Sequence, residues 1–210
     1  TAAWTDQPKI MIAGLVGSTV QALAEADVAL ELGYHAGLLS LASHKGADED
    51  TLIAHCQAVA ERIPLIGFYL QPAVGGIVLS TEFWRRFAAI DNVIAIKVAP
   101  FNRYRTLDVV RGVIAANAED RISLYTGNDD HILLDLLTPF AVRRDGADVV
   151  VRFRGGLLGH WSVWVKPAVD YLARAHEAGA VGAVSAELLQ LDSQITDANS
   201  ALFDVVNNFA

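Results

Sequence analysis

Lys97 closes the run Val93-Ile-Ala-Ile-Lys97-Val-Ala-Pro100, where it is the one ionisable group among aliphatic residues. Apolar neighbours strip water from an ammonium and lower its pKa, and a lysine kept neutral in this way attacks a carbonyl carbon to form an imine. A lysine at a strand end also has two plainer uses, snorkelling into solvent or pairing with an acid. One apolar run earlier, at the same depth, Tyr69 offers a phenol that can pass a proton to or from a carbonyl adduct, or that simply packs. His44, His131 and His160 fall on the same face as Asp129 and Asp130. Imidazole with carboxylate is a zinc or iron ligand set, but no HxH or HExxH spacing supports one, and isolated histidines here serve equally as hydrogen-bonding groups. Gly155-Gly156-Leu-Leu-Gly159 reads either as a phosphate-holding loop or as a tight strand-to-helix turn.

These residues need a frame, and the chain supplies one by repetition. Apolar, β-branched runs start at Lys9, His35, Pro64, Asn92, Arg121 and Asp148, separated by 26, 29, 28, 29 and 27 residues. Their apolarity is continuous rather than alternating, which marks parallel strands covered on both faces. Between them lie helices. Ser18 and Thr19 cap one with an apolar stripe at Val20, Leu23, Ala24, Val28 and Leu32. Asp48 opens a second through Leu52, Ile53, Cys56 and Val59, and Ser80 caps a third. Further helices are expected over 103–116, over 129–137, and after Gly159 with Trp161, Trp164 and Tyr171 as core or subunit contact. From Gly179 a polar helical tail begins, giving a unit over 1–178 and an extension over 179–210.

Two architectures carry six βα units, an open doubly wound sheet or part of a (β/α)8 barrel. The turn Gly14-Leu-Val-Gly17-Ser-Thr matches neither GxGxxG nor GxxxxGK[ST], which disfavours the first. The second typically takes about 250 residues. In either case the loops after the strands form the active face.

The chain has 210 residues, 53% of them hydrophobic, and a formal charge of −8. The acidic balance excludes nucleic acid and anionic lipid as main partners, since phosphate backbones call for concentrated basic residues. The longest stretch without Asp, Glu, Lys or Arg, from Ile63 to Thr81, carries Pro64 and Pro72 and reads as two buried elements around a loop rather than a membrane span. The start, TAAWTDQPK, has no signal-peptide pattern, and the lone Cys56 fits a reducing, cytoplasmic setting.

Gly67-Phe-Tyr69-Leu-Gln-Pro72, then Val93-Ile-Ala-Ile-Lys97, then Tyr125-Thr-Gly127-Asn128-Asp129 together resemble the dihydrodipicolinate synthase and N-acetylneuraminate lyase family of class I aldolase-type barrels. The likeness runs from about Lys9 to Ala178. It implies a parallel (β/α)8 TIM-type barrel of which strands three to eight are present, with extra C-terminal helices and a gap exposing the edges of strands three and eight. It also implies a carbon–carbon lyase or synthase without a cofactor, acting on a small 2-oxo acid or related carbonyl as a homo-oligomer. Lys97 then matches the imine-forming lysine, Tyr69 the proton-relay tyrosine and Gly127-Asn128-Asp129 the turn after the seventh strand. Gln71, Arg103, Asn128, Asp129, Gly155 and Gly156 are the candidate substrate contacts. Where the family commonly has Asn-Val-Pro-Gly-Arg-Thr, this chain reads Leu70-Gln71-Pro72-Ala73-Val74-Gly75, so Val74 stands at the place of the carboxylate-holding arginine. Arg103 or Arg154 would have to supply a guanidinium from another loop, and Val98 replaces the glutamate that often follows the lysine. The alternatives are a barrel that binds a phosphate ligand or partner without imine chemistry, and a metal-dependent barrel enzyme.

Overall fold

Five of the six apolar runs become parallel strands and their intervening helices start where the capping residues stand. A computed structural model describes residues 9–202. The order is β1 (Ile12–Leu15), α1 (Thr19–Glu31), β2 (Ala36–Leu39), α2 (Glu49–Ala60), β3 (Leu65–Leu70), α3 (Thr81–Ala88), β4 (Val93–Ala99), α4 (Arg103–Ala115), β5 (Ser123–Thr126) and α5 (Ile132–Leu137). There follow β6 (Phe140–Arg144), β7 (Ala147–Val151), β8 (Phe153–Gly156), α6 (Gly159–Val163), α7 (Val165–Val181) and α8 (Ala186–Ser200). The side chains of Ser18, Asp48 and Ser80 accept the backbone N–H three residues on, at Gln21, Thr51 and Phe83, satisfying donors that the first helical turn leaves open.

The main sheet has six parallel strands in the order β1-β2-β3-β4-β5-β8, and its end strands each pair on one side only. Most of the core lies between the sheet's outer face and the helices, with Trp84, Phe83, Phe87 and Phe153 among its largest fully buried side chains. A separate small cluster, Ala36, Ile66 and Ala95 with Ile12, Leu38 and Tyr125 against it, occupies the opposite face. Helices gathered on one face, with small and aromatic residues on the other, are the layering of a (β/α) barrel wall rather than of a doubly wound sheet.

Four expectations need correction. The run at Asp148 is not the sixth strand of the sheet. It forms β7, which pairs antiparallel with β6 around Asp145 and Gly146, whose φ values of 52° and 84° suit a two-residue hairpin turn. The sheet is completed by β8, Phe-Arg-Gly-Gly, which has no apolar run to announce it. In α1 the buried residues are Ala22, Ala26 and Ala29, while Val20, Val28 and Leu32 are 79%, 54% and 66% exposed. Small side chains let the helix approach the sheet closely, and its larger apolar residues turn outward beside the unpaired edge of β1. The helix after β5 starts at Ile132, since 128–131 form the loop that approaches the site. Lastly, α7 runs past Ala178 to Val181, where Gly182 at φ 74° ends it. The extension expected over 179–210 is described through Leu202, and its last residues lie outside the described range, as does the leader reading at residues 1–8. No helix among the described residues is long and apolar enough to cross a membrane.

Candidate active site

The register of the sheet aligns Phe68, Lys97, Tyr125 and Gly155 across β3, β4, β5 and β8. Paired residues of neighbouring parallel strands point to the same side, so all four share the inner face. The Lys97 ammonium lies 4.4 Å from the centre of the Phe68 ring. Burial pulls its pKa below the ordinary lysine value, and the nearby charge of Asp129 opposes that shift only in part.

Gly127 clears the lysine's path. A Cβ there would stand 2.7 Å from Ala99 Cβ and 3.0 Å from Lys97 Cε, closer than side chains pack. The chain of Lys97 therefore lies against the loop that carries Asp129. Gly127→Ala forces one of these neighbours to move and costs about 1–3 kcal/mol, as overpacking does. A calorimetric melt that matches the parent would contradict this reading of the contact.

Asp129 is 6% exposed, and its Oδ1 has no hydrogen-bond partner among the described residues. Burial raises its carboxyl above the ordinary range, against the lowering effects of the His160 backbone N–H and of Lys97. The loop is held from behind by α8: Asn199 Nδ2 donates to the Asp129 carbonyl at 2.7 Å, and Thr196 Oγ1 donates to the Asp130 carbonyl at 3.1 Å. Asn199 Oδ1 lies 2.6 Å from His160 Nδ1. A cavity of about 320 Å³ opens between Gln71, Phe101, Asp129 and Asn199. Gln71 and Asp129 of the expected contacts thus meet in one cavity, whose α8 wall carries no sequence signal beyond its Asn and Asp content.

Other expected residues are engaged elsewhere. Tyr69 is 1% exposed and faces the helices: its hydroxyl donates to the Leu79 carbonyl and accepts the Leu79 N–H, both at 3.3 Å, and its ring packs 5.1 Å from that of Trp84. The reason is parity. Tyr69 pairs with Val98, one residue out of step with Lys97, and a one-residue step moves a strand side chain to the other face. Asn128 is also buried; its side chain donates to Asp135 at 2.9 Å and accepts the Phe101 N–H at 3.0 Å. Arg103 is ion-paired with the fully buried Asp135, so its guanidinium is not free to hold a substrate carboxylate. Gly155 and Gly156 belong to β8, where their missing side chains make room for the rings of Tyr125 and Trp161, each 3.3 Å from a Cβ position. They serve close packing rather than a phosphate loop. Arg154 lines a separate hollow with Arg152 and His176, and Val74 is 57% exposed at the end of the short 3-10 helix Pro72–Val74.

The histidines do not converge. His44 stacks on His55 at 4.1 Å between ring centres, and His55 Nδ1 lies 2.8 Å from the Thr19 hydroxyl. Among the described residues no group of three or more His, Cys, Asp or Glu is placed to hold a metal ion. Burial first, and His44 second, lower the His55 pKa to about 4. The unfolded chain, with a histidine pKa near 6.5, takes up a proton that folded His55 refuses. Stability from this group is therefore whole above about pH 6.5 and falls as pH drops toward 4, by about 3 kcal/mol at 1.36 kcal/mol per pKa unit. In urea titrations the parent should lose about 3 kcal/mol more stability than a His55→Gln chain between pH 7 and pH 4, and equal losses would refute the assignment.

Sequence and structure comparisons agree on one kinship. The model of the dihydrodipicolinate synthetase family matches residues 3–140. The 4-hydroxy-tetrahydrodipicolinate synthase of Synechococcus elongatus is 30% identical over 191 residues, covering 90% of this chain and 56% of the relative. The chain thus spans little more than half the length of the curated relatives it matches. Dihydrodipicolinate synthase from Cyanidioschyzon merolae, solved with lysine bound, superimposes with a TM-score of 0.74 at 20% identity, covering 98% of this chain and 63% of that one. The Acinetobacter baumannii synthase complexed with pyruvate gives 0.73 at 24% identity, covering 96% and 62%. Likeness at these identities establishes a shared fold.

Proposed function

This chain belongs to the dihydrodipicolinate synthetase family, and from that premise we propose that it acts as an aldolase-type carbon–carbon lyase or synthase with Lys97 as the imine-forming nucleophile. The observation that carries the reading is the lysine itself. Of the four lysines, Lys9, Lys45 and Lys166 are exposed, while Lys97 stands half-buried on the inner face beside an aromatic ring with its pKa lowered. A neutral amine in a water-poor site is what imine formation needs.

In this mechanism the Lys97 nitrogen attacks the carbonyl carbon of a 2-oxo acid or related carbonyl. The π pair moves to oxygen, which takes a proton from the attacking nitrogen to give a neutral carbinolamine. Water then leaves and an iminium forms, and this acts as the electron sink for making or breaking the adjacent carbon–carbon bond. Phe68 limits the water around the nitrogen, and the charge of Asp129 favours the cationic state that develops there. With Val74 at the arginine position and Arg103 committed to Asp135, a substrate carboxylate is met by neutral groups such as Gln71, or by no direct partner. The reading accordingly favours carbonyl substrates that do not depend on a guanidinium clamp.

The test is reduction with borohydride in the presence of a panel of carbonyls, among them pyruvate, 2-oxobutanoate and simple aldehydes. An intact-mass increment equal to one reduced adduct supports the reading; no increment with any member of the panel sinks it.

A further inference from the structure

We infer that Tyr125, not Tyr69, is the proton-transfer residue of the Lys97 site. This rests on the imine reading above and assigns the step that reading leaves without a donor.

The geometry of the sheet makes the choice. A proton relay has to stand on the same face as the reacting nitrogen, and Tyr69 stands on the other, its hydroxyl already in both roles with the Leu79 backbone. Position 68, which pairs with Lys97 from the β3 side, is a phenylalanine and has no proton to give. On the β5 side the residue paired with Lys97 is Tyr125. Adjacent strands lie about 4.8 Å apart, so side chains at paired positions stand side by side. The Tyr125 ring is given room by Gly155, whose Cβ position is 3.3 Å from its edge, and the residue packs against the inner cluster of Ala36, Ile66 and Ala95. The ring is thereby fixed in place, yet the residue is only half-buried and its phenol makes no hydrogen bond with any described residue. An anchored phenol with a free hydroxyl beside a nucleophilic amine is equipped to exchange protons with an adduct on that amine.

The step balances without a further reagent. The Tyr125 hydroxyl gives its proton to the carbinolamine oxygen as the carbon–oxygen bond breaks and the nitrogen lone pair forms the C=N bond. The resulting phenolate, next to the cationic iminium, takes a proton from the carbon beside it. The electrons of that C–H bond flow into the iminium to give the enamine, and the phenol is restored.

The experiment uses the full chain and pyruvate in deuterated buffer, with exchange at the pyruvate methyl followed by proton NMR and borohydride trapping run in parallel. Tyr125→Phe keeps the ring and its packing, so trapping at Lys97 should persist at equilibrium while methyl exchange slows by about 10²-fold or more, the usual contribution of a positioned acid–base group. Tyr69→Phe should exchange within about twofold of the parent, since the hydroxyl it loses faces the helices. Exchange at the parental rate in Tyr125→Phe, with trapping intact, overturns this assignment and leaves Lys97 standing. Failure of the parent chain itself to trap any carbonyl overturns the imine reading, and the assignment falls with it.

Discussion

Replacing Lys97 with alanine is expected to remove the borohydride-dependent adduct altogether and to lower carbonyl turnover by at least about 10³-fold, because covalent catalysis ends with its nucleophile. Lys97→Arg should fail as completely. A guanidinium keeps the positive charge over Phe68 but stays protonated at any working pH and has no lone pair to offer. Lys45→Ala and Lys166→Ala should trap like the parent, since both side chains are exposed and lie outside the site. The pair of expectations separates nucleophilicity from charge: a Lys97→Arg chain that turned over substrate would show that the ammonium acts only as a cation.

The second large effect is expected at Asp135. Asp135 is fully buried and accepts hydrogen bonds from Thr126 Oγ1 at 2.6 Å, from Asn128 Nδ2 at 2.9 Å and from Arg103. Asn128 in turn accepts the Phe101 N–H, so one carboxylate ties the end of β5 to the start of α4 and seats the loop that carries Gly127 and Asp129. Asp135→Ala leaves these donors without a partner beneath the sheet. A loss of about 3–5 kcal/mol is expected, as when one member of a buried ion pair is deleted. For a chain of this length that corresponds to a Tm lower by about 10 °C. Asp135→Asn should lose less, since the amide oxygen still accepts from Thr126. A melt of Asp135→Ala within about 2 °C of the parent would contradict the network's role.

How far the sequence reveals this arrangement depends on range. The strands β1 to β5 and their helix caps are legible because each is encoded locally, by a continuous apolar run or by a serine or aspartate three residues before the N–H it accepts. The end of the sheet is not. Phe153–Gly156 has two glycines and an arginine, and becomes a strand because β5 offers an unpaired edge and its glycines admit Tyr125 and Trp161. The Asp145-Gly146 pair was a hairpin signal in plain sight, but the regular spacing of the apolar runs pointed past it to Asp148. Lys97 was legible as a desolvated amine. The wrong face for Tyr69 follows from a register irregularity between Leu65 and Ile66, which shifts the parity of β3 by one residue relative to β4. Nothing local encodes it. The engagement of Arg103 is hidden for a similar reason, since its partner Asp135 is 32 residues away and meets it only in the folded chain. Cys56, the lone cysteine, lies buried in α2 with burial pushing its thiol up to about 12.

The central claim concerns one side chain, and locating a trapped adduct tests it directly. The parent chain would be incubated with pyruvate and with a simple aldehyde near pH 7.5, reduced with borohydride, digested, and sequenced by tandem mass spectrometry. The lowered pKa of Lys97 and its setting between Phe68 and Tyr125 predict that the increment falls on the peptide containing Lys97, at a carbonyl concentration that leaves Lys45 and Lys166 unmodified. An increment spread over the exposed lysines, with Lys97 no more modified than they are, would contradict the account.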